Sequence, residues 1–323
     1  MATYKGIQGY TVQKLSSDPT ASEAEGQLWY NSTSGKFKIG TAGAGTWASA
    51  PTLNDTMSGN SGSGTQTAAL TAGGGNPGVT ANVEEFDGSS WSEKNNLTTA
   101  RRNQGQAGTT TAAVIFGGRE PTLSKKTENW DGTSWTETND MNTARRQFGF
   151  WGTKTSAFAI SGVPYPIAGN EEWNGTSWAE IADLSTVRQT LAAAQSGTAT
   201  NGLVFGGTPP LTGKTEEWNG TSFTETNDMN TARDNLSGVG VSKTSALAIG
   251  GESPGGAPAL ANTESFDGTS WTELADLSGV RCQFGAAGTA SAAIAMAGSS
   301  PPNINTSETW TNPVYTIKTV TVS

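Results

Sequence analysis

An eight-residue string, Glu128-Asn129-Trp130-Asp131-Gly132-Thr133-Ser134-Trp135, constrains this chain more than any other feature because it recurs. Copies stand at 84–91 (EEFDGSSW), 171–178 (EEWNGTSW), 216–223 (EEWNGTSF) and 264–271 (ESFDGTSW). The last aromatic of each copy, at Trp91, Trp135, Trp178, Phe223 and Trp271, advances by 43 to 48 residues. A period of that length marks one supersecondary unit that buries its apolar face only by stacking on its neighbours.

Within each copy, Asp-Gly or Asn-Gly supplies the positive φ of a tight turn, so the string reads as two antiparallel strands. Whether the loop has two residues or four, the aromatics on either side of it share one side of the ribbon and enter the space between adjacent sheets. A short apolar run ending in glycine precedes each copy and supplies a further strand: 112–118 (AAVIFGG), 156–162 (SAFAISG), 202–207 (GLVFGG), 246–251 (ALAIGG), with 292–298 (AAIAMAG) and a degenerate 68–75 (AALTAGGG). Before each of these lies a run rich in small residues, such as 145–152 (RRQFGFWG) and 281–288 (RCQFGAAG), suited to an innermost strand where sheets converge. Four strands per repeat at this period predict a β-propeller.

Six glycine-ending runs imply six blades, although only five complete hairpins follow the first run. Trp47 keeps the period, and the last copy (306–311, TSETWT) holds only the first half of a hairpin. The expectation is therefore an all-β, six-bladed propeller over 46–311 in which the strand at Trp47 completes the last blade. Such closure removes exposed edge strands. Residues 1–45 are expected as an N-terminal β-hairpin attachment segment, from GQLWY, the turn cluster NSTSG and KFKIG. Residues 312–323 read as a final strand that leaves the propeller and pairs with the N-terminal segment or with another chain.

The glycine pair, the two spaced aromatics and Met-Asn-Thr-Ala-Arg leading into the next unit resemble kelch repeats from about Trp47 to Trp310, with four residues between the aromatics, tighter than the usual kelch turn. The Asp-Gly-x-Ser-Trp string is similar to the sialidase Asp-box but is one residue short, so no sialidase chemistry is carried over. The segment EGQLWYNSTSGKFKIG is similar to hairpins in structural and fibre proteins of tailed bacteriophages. The EEWNGTSWTE…MNTAR form of the repeat looks like virion proteins of marine phages. This resemblance implies a non-enzymatic virion structural protein at the particle surface, with a tail-fibre or host-recognition module ahead of a capsid decoration protein. It also implies attachment to other virion proteins through the N-terminal hairpin and C-terminal strand, a host glycan or protein as receptor, and leaves homo-oligomerisation open. A cellular kelch scaffold is the remaining binding alternative.

Composition restricts the chemistry. With no histidine among 323 residues, histidine-ligated copper and any Ser-His or Cys-His pair are excluded. The single Cys282 has no partner for an internal disulfide and suits a small buried position. A net charge of −9 argues against a nucleic-acid partner. No run reaches the roughly 18 apolar residues of a membrane span, and Met1-Ala2-Thr3-Tyr4-Lys5 opens without the apolar core of a signal peptide. No cofactor, metal or catalytic residue is expected.

Two sets of residues remain as candidates. In the first, Arg101, Arg145, Arg188, Arg233 and Arg281 occupy equivalent places, as do Glu84, Glu128, Glu171, Glu216, Glu264 and Glu308. A guanidinium ring near a channel suits an anionic glycan. Repetition in nearly every blade favours a structural role instead, alongside Trp47, Trp91, Trp135, Trp178, Phe223 and Trp271. Arg102 and Arg146 lie outside this register and are expected to be solvated. Asn174-Gly-Thr and Asn219-Gly-Thr match the glycosylation sequon but read as turns. The second set is the Pro-rich loops after the glycine runs, which differ between blades while the scaffold repeats. On them Arg119, Pro121, Tyr165, Pro166, Pro209, Pro210, Pro254 and Pro301 are the candidate binding residues.

Overall fold

Short apolar runs punctuated by glycine leave no room for helices, and every regular element is a strand among the described residues. Those are 12–20, 26–42, 45–75, 77–164, 167, 169–253, 258–312 and 315–321 of a computed structural model. They form seven four-stranded sheets and one two-stranded ribbon in a propeller-like all-β arrangement. The chain divides into two units, Trp47–Thr311 and a smaller one made of Met1–Thr46 with Asn312–Ser323.

Six sheets repeat one pattern, and the first shows it: Ser61–Thr65, Ala68–Ala72, Val83–Phe86 and Trp91–Lys94 follow each other as an antiparallel meander. The innermost strands of the other five are Gly105–Gly108, Gly149–Thr153, Ala192–Ala193, Ser237–Ser242 and Gly285–Thr289. Each inner strand packs on the next one in sequence, and Gly285–Thr289 packs on Ser61–Thr65. Close approach explains the small residues there. A Cβ on Gly238 would fall 2.4 Å from the carbonyl oxygen of Ala193 on the neighbouring inner strand.

The sixth of these sheets takes its outer strand from far away in sequence. Its order is Gly285–Thr289, Ala292–Ser299, Asn303–Thr311 and then Thr46–Ala50. The bonds that tie in this segment run in antiparallel sense: Leu53 N donates to Asn305 O, Ser307 Oγ to Pro51 O and Thr309 Oγ1 to Ala48 O. Trp47 meets Trp310 at 5.6 Å between ring centroids. The five local hairpins hold the same aromatic pair at 4.8 to 5.5 Å, from Phe86–Trp91 to Phe266–Trp271. Contacts of this kind contribute about 0.5–1.5 kcal/mol beyond the area they bury.

The hairpin turn is the four-residue form. Trp130 pairs with Trp135, Gly132 adopts φ +95°, and Asp131 Oδ1 accepts the backbone N–H groups of Thr133 and Ser134. Asn174 and Asn219 do the same in their copies, so both sequon asparagines spend their side-chain oxygen on turn geometry.

The smaller unit is one sheet. Leu28–Asn31 and Lys36–Ala42 form the expected hairpin, Gln13–Leu15 adds parallel to the first, and Tyr315–Thr319 adds antiparallel to the second. The two terminal segments thus share one sheet, and the C-terminal strand has its partner within the chain. Asp18 organises the unit. Its carboxylate accepts from Trp29 Nε1 at 3.0 Å and Asn31 Nδ2 at 2.6 Å, and pairs with Lys38. The Asn31 and Trp29 donors hold its pKa below the ordinary carboxylate value.

Candidate functional site

The recurring arginines and glutamates meet each other. Arg101–Glu128, Arg145–Glu171, Arg188–Glu216, Arg233–Glu264 and Arg281–Glu308 pair at 2.5 to 2.7 Å, with side chains at most 2% exposed. The guanidinium groups also bond carbonyls, as Arg101 does those of Gly117 and Lys126. The carboxylates accept backbone N–H groups of the segments joining neighbouring sheets, as Glu171 does from Asn142 and Thr143. Burial lowers the pKa of Arg145, Arg233 and Arg281, while their glutamates pull the other way. With all five guanidinium groups enclosed, none forms an open anion-binding ring.

The sixth glutamate differs. Glu84 is buried, but Met57 fills the place of the arginine. Its carboxylate takes Asn54 N at 2.8 Å, Asn54 Nδ2 at 2.9 Å and Asp55 N at 3.2 Å. Burial raises its pKa.

Two sets of backbone bonds link the six sheets in order. In one, the second glycine of each pair, or its equivalent, donates to the arginine carbonyl of the next sheet: Gly74 to Arg101, Gly118 to Arg145, Gly162 to Arg188, Gly207 to Arg233, Gly251 to Arg281, and Gly298 to Met57. This contact accounts for the glycine pairs, because a Cβ on Gly250 would sit 2.6 Å from Arg281 O. In the other set, Asn103 N donates to Gly59 O, Gln147 N to Asn103 O, Thr190 N to Gln147 O, Asn235 N to Thr190 O, Gln283 N to Asn235 O, and Gly59 N to Gln283 O. All six residues of this second set adopt φ between 49° and 67°.

These residues rim the mouth of a cavity of about 80 Å³. Below the rim its wall is polar on one side, with Asn60 and Gln104, and apolar on the other, with Phe148, Leu191, Leu236 and Phe284. Asn60 Oδ1 and Gln104 Oε1 are buried acceptors without a partner among the described residues. Gln147 Nε2 reaches Asn235 Oδ1 at 3.2 Å, two places along the rim.

Strand direction brings the loops after the glycine runs to this same end, and the Asp-Gly turns to the other. Bridges Arg102–Arg119, Arg146–Val163, Gln189–Thr208, Asp234–Glu252 and Cys282–Ser299 join each loop to the residue before a rim position. Arg119 is half-buried and Pro121, Pro209, Pro210 and Pro301 are exposed. Tyr165, Pro166 and Pro254 lie outside the described residues.

The rim carries charges that the repeat pattern hides. Arg102, Arg119 and Arg146 are half-buried rather than freely solvated, and among the described residues none forms a salt bridge. Burial, then repulsion from Arg119 and Arg102, lowers the pKa of Arg146. Three places along the rim from Asn103, Asp234 faces Glu252. Asn235 Nδ2 and the Cys282 thiol donate to Glu252 at 2.9 Å each. Burial and the Glu252 charge push Asp234 up to about 6, and burial pushes the Cys282 thiol up. The sequence signal for Arg102, Arg146, Asp234 and Cys282 is the position after each repeated arginine, or after Met57 in the first copy. It reads Ser58, Arg102, Arg146, Gln189, Asp234 and Cys282 inside an otherwise fixed register.

No protein-family model and no curated protein matches the chain.

Proposed function

We propose that this chain is a non-enzymatic structural protein of a tailed-phage particle, displaying a closed six-bladed kelch-like propeller whose loop face recognises the host surface. Six blades are supported by the two sets of inter-sheet backbone bonds, each of which returns to its starting sheet. Closure by the N-terminal strand is supported by Trp47 packing against Trp310. Recognition by the loop face is carried by one observation: the five repeated arginines and their five glutamates are consumed in buried pairs, whereas the Arg102, Arg119, Asp234 and Glu252 side chains vary from blade to blade beside the rim positions. The phage setting rests on the resemblance of EGQLWYNSTSGKFKIG and of the repeat to virion proteins. In this reading the smaller unit attaches the propeller to other virion proteins.

Gold-labelled antibody against the chain, imaged on intact particles by electron microscopy, tests it. Label at tail tips or appendages is the expected result. Label spread over the heads makes the chain a decoration protein, and particles without label return it to the cellular scaffolds.

A further inference from the structure

The geometry points to a binding site for a single oxyanion, the carboxylate, sulfate or phosphate ester of an acidic surface saccharide, held by Arg102, Arg119 and Arg146 at the rim of the cavity. The inference rests on the reading of the loop face as the recognition surface and gives that surface a ligand chemistry.

Backbone geometry assembles the three arginines. Arg102 and Arg119 are bridge partners, with Arg102 N donating to Arg119 O at 3.1 Å and Arg119 N to Arg102 O at 2.8 Å. Arg102 and Arg146 each precede a rim residue, and those two residues are bonded directly, Gln147 N to Asn103 O at 3.0 Å. Arg102 Nε is a buried donor with no acceptor among the described residues. Arg119 Nε donates to Pro121 O at 3.1 Å, and Arg119 is half-buried.

Like charges crowded together and half-desolvated raise the free energy of the empty rim, and an oxyanion relieves both penalties at once. Guanidinium groups suit this role because their planar fork matches carboxylate, sulfate and phosphate oxygens. The neighbouring Asn103 and Gln147 amides offer the donor and acceptor pairs that sugar hydroxyls use. Asp234 and Glu252, across the mouth, repel a second anion and so restrict the site to one charged group. The net charge of −9 disfavours a long polyanion such as duplex DNA, whose affinity needs many cations over an extended face. A single anionic group meets only the local field.

The test is calorimetric titration of the full chain with glucuronate, inorganic sulfate and chondroitin sulfate in low-salt buffer. Variants Arg146→Gln and Arg119→Gln are compared with Lys243→Gln, a surface cation outside the rim. Near-ultraviolet circular dichroism verifies that each variant is folded. The inference expects glucuronate and chondroitin sulfate to bind, with about ten-fold weaker affinity for each arginine variant, the worth of one charge-assisted bond, and no change for Lys243→Gln. Binding of free sulfate without either saccharide overturns the saccharide assignment. Equal loss in all three variants, or tighter binding of duplex DNA or anionic vesicles than of chondroitin sulfate, overturns the site. Cell binding separates this inference from the reading beneath it. Cells retained by a folded Arg146→Gln/Arg119→Gln chain refute the oxyanion site alone. Saccharide binding without cell binding refutes the host-recognition reading and leaves the site standing.

Discussion

Replacing Glu171 by glutamine and, separately, Glu84 by glutamine makes the same chemical change at equivalent positions of two sheets, and the outcomes should differ. At Glu171 the substitution leaves the Arg145 cation fully buried with neutral acceptors alone, the carbonyls of Ser161 and Gly169 and the one oxygen of the new amide. Removing one member of a buried ion pair costs about 3–5 kcal/mol, because the remaining charge has lost its compensation. At Glu84 no arginine is stranded, since Met57 stands in its place. One of three donors loses its acceptor there, a cost of about 0.5–1.5 kcal/mol, and relief from burying an ionised group offsets part of it. The two variants should therefore differ by about 2–4 kcal/mol in urea unfolding followed by tryptophan fluorescence. Arg145→Met, which copies the arrangement of the first sheet, should be milder than Glu171→Gln. A carboxyl group left alone can be neutralised by a proton, and a guanidinium cannot. Equal losses in Glu84→Gln and Glu171→Gln, within about 1 kcal/mol, would refute the view that the stranded cation dominates.

Three further outcomes follow from the packing and charges. Trp178 and Trp271 donate to Thr127 and Thr215 of the preceding sheet, whereas Trp135 faces Val83 and its Nε1 has no partner among the described residues. Val83→Thr should gain about 1 kcal/mol and Thr127→Val should lose about 1–3 kcal/mol, read by thermal unfolding. Asp234, raised from 3.8 to about 6, binds a proton more tightly folded than unfolded, so its contribution to stability falls as pH rises through that window. Denaturation midpoints measured across it should show a shallower slope in Asp234→Asn, and an unchanged slope would remove Asp234 as its source. Trp47→Ala deletes a half-buried ring together with its bond to Thr263 and should cost about 2 kcal/mol, below the 3–5 kcal/mol of a fully buried tryptophan; a loss within error of zero would detach the N-terminal strand from the last sheet.

Period, strand number and the place of the turn, though not its length, were legible because each is written several times over: the aromatic pair, the turn glycine and the glycine-ending run recur in register. The Arg–Glu partnership was half legible. Both residues could be seen to repeat, but some 27 residues separate Arg101 from Glu128, and no local rule joins them. Met57 in place of arginine sat in a degenerate copy whose alignment only the structure supplies. The rim charges were hidden for the opposite reason. Arg102 next to Arg101, and Arg146 next to Arg145, look like spare surface cations in a linear reading. Their neighbour Arg119 is brought close by a backbone bridge across a loop. Proximity between loops of unequal length carries no periodic signature, so a repeat-based reading passes over it.

The rim is held by main-chain atoms, and this separates what keeps the molecule together from what it presents. Gly59, Asn103, Gln147, Thr190, Asn235 and Gln283 differ in side chain yet make the same backbone bond. Left-handed φ narrows the choice of residue at those six points, but the residue just before each is free of that demand. Of these neighbours Arg102, Arg146, Gln189 and Asp234 are only half-buried, so they can be rewritten one at a time, with each change felt at the mouth more than in the frame. A lineage under pressure to follow a changing ligand would inherit a socket whose lining can be exchanged without rebuilding the wall.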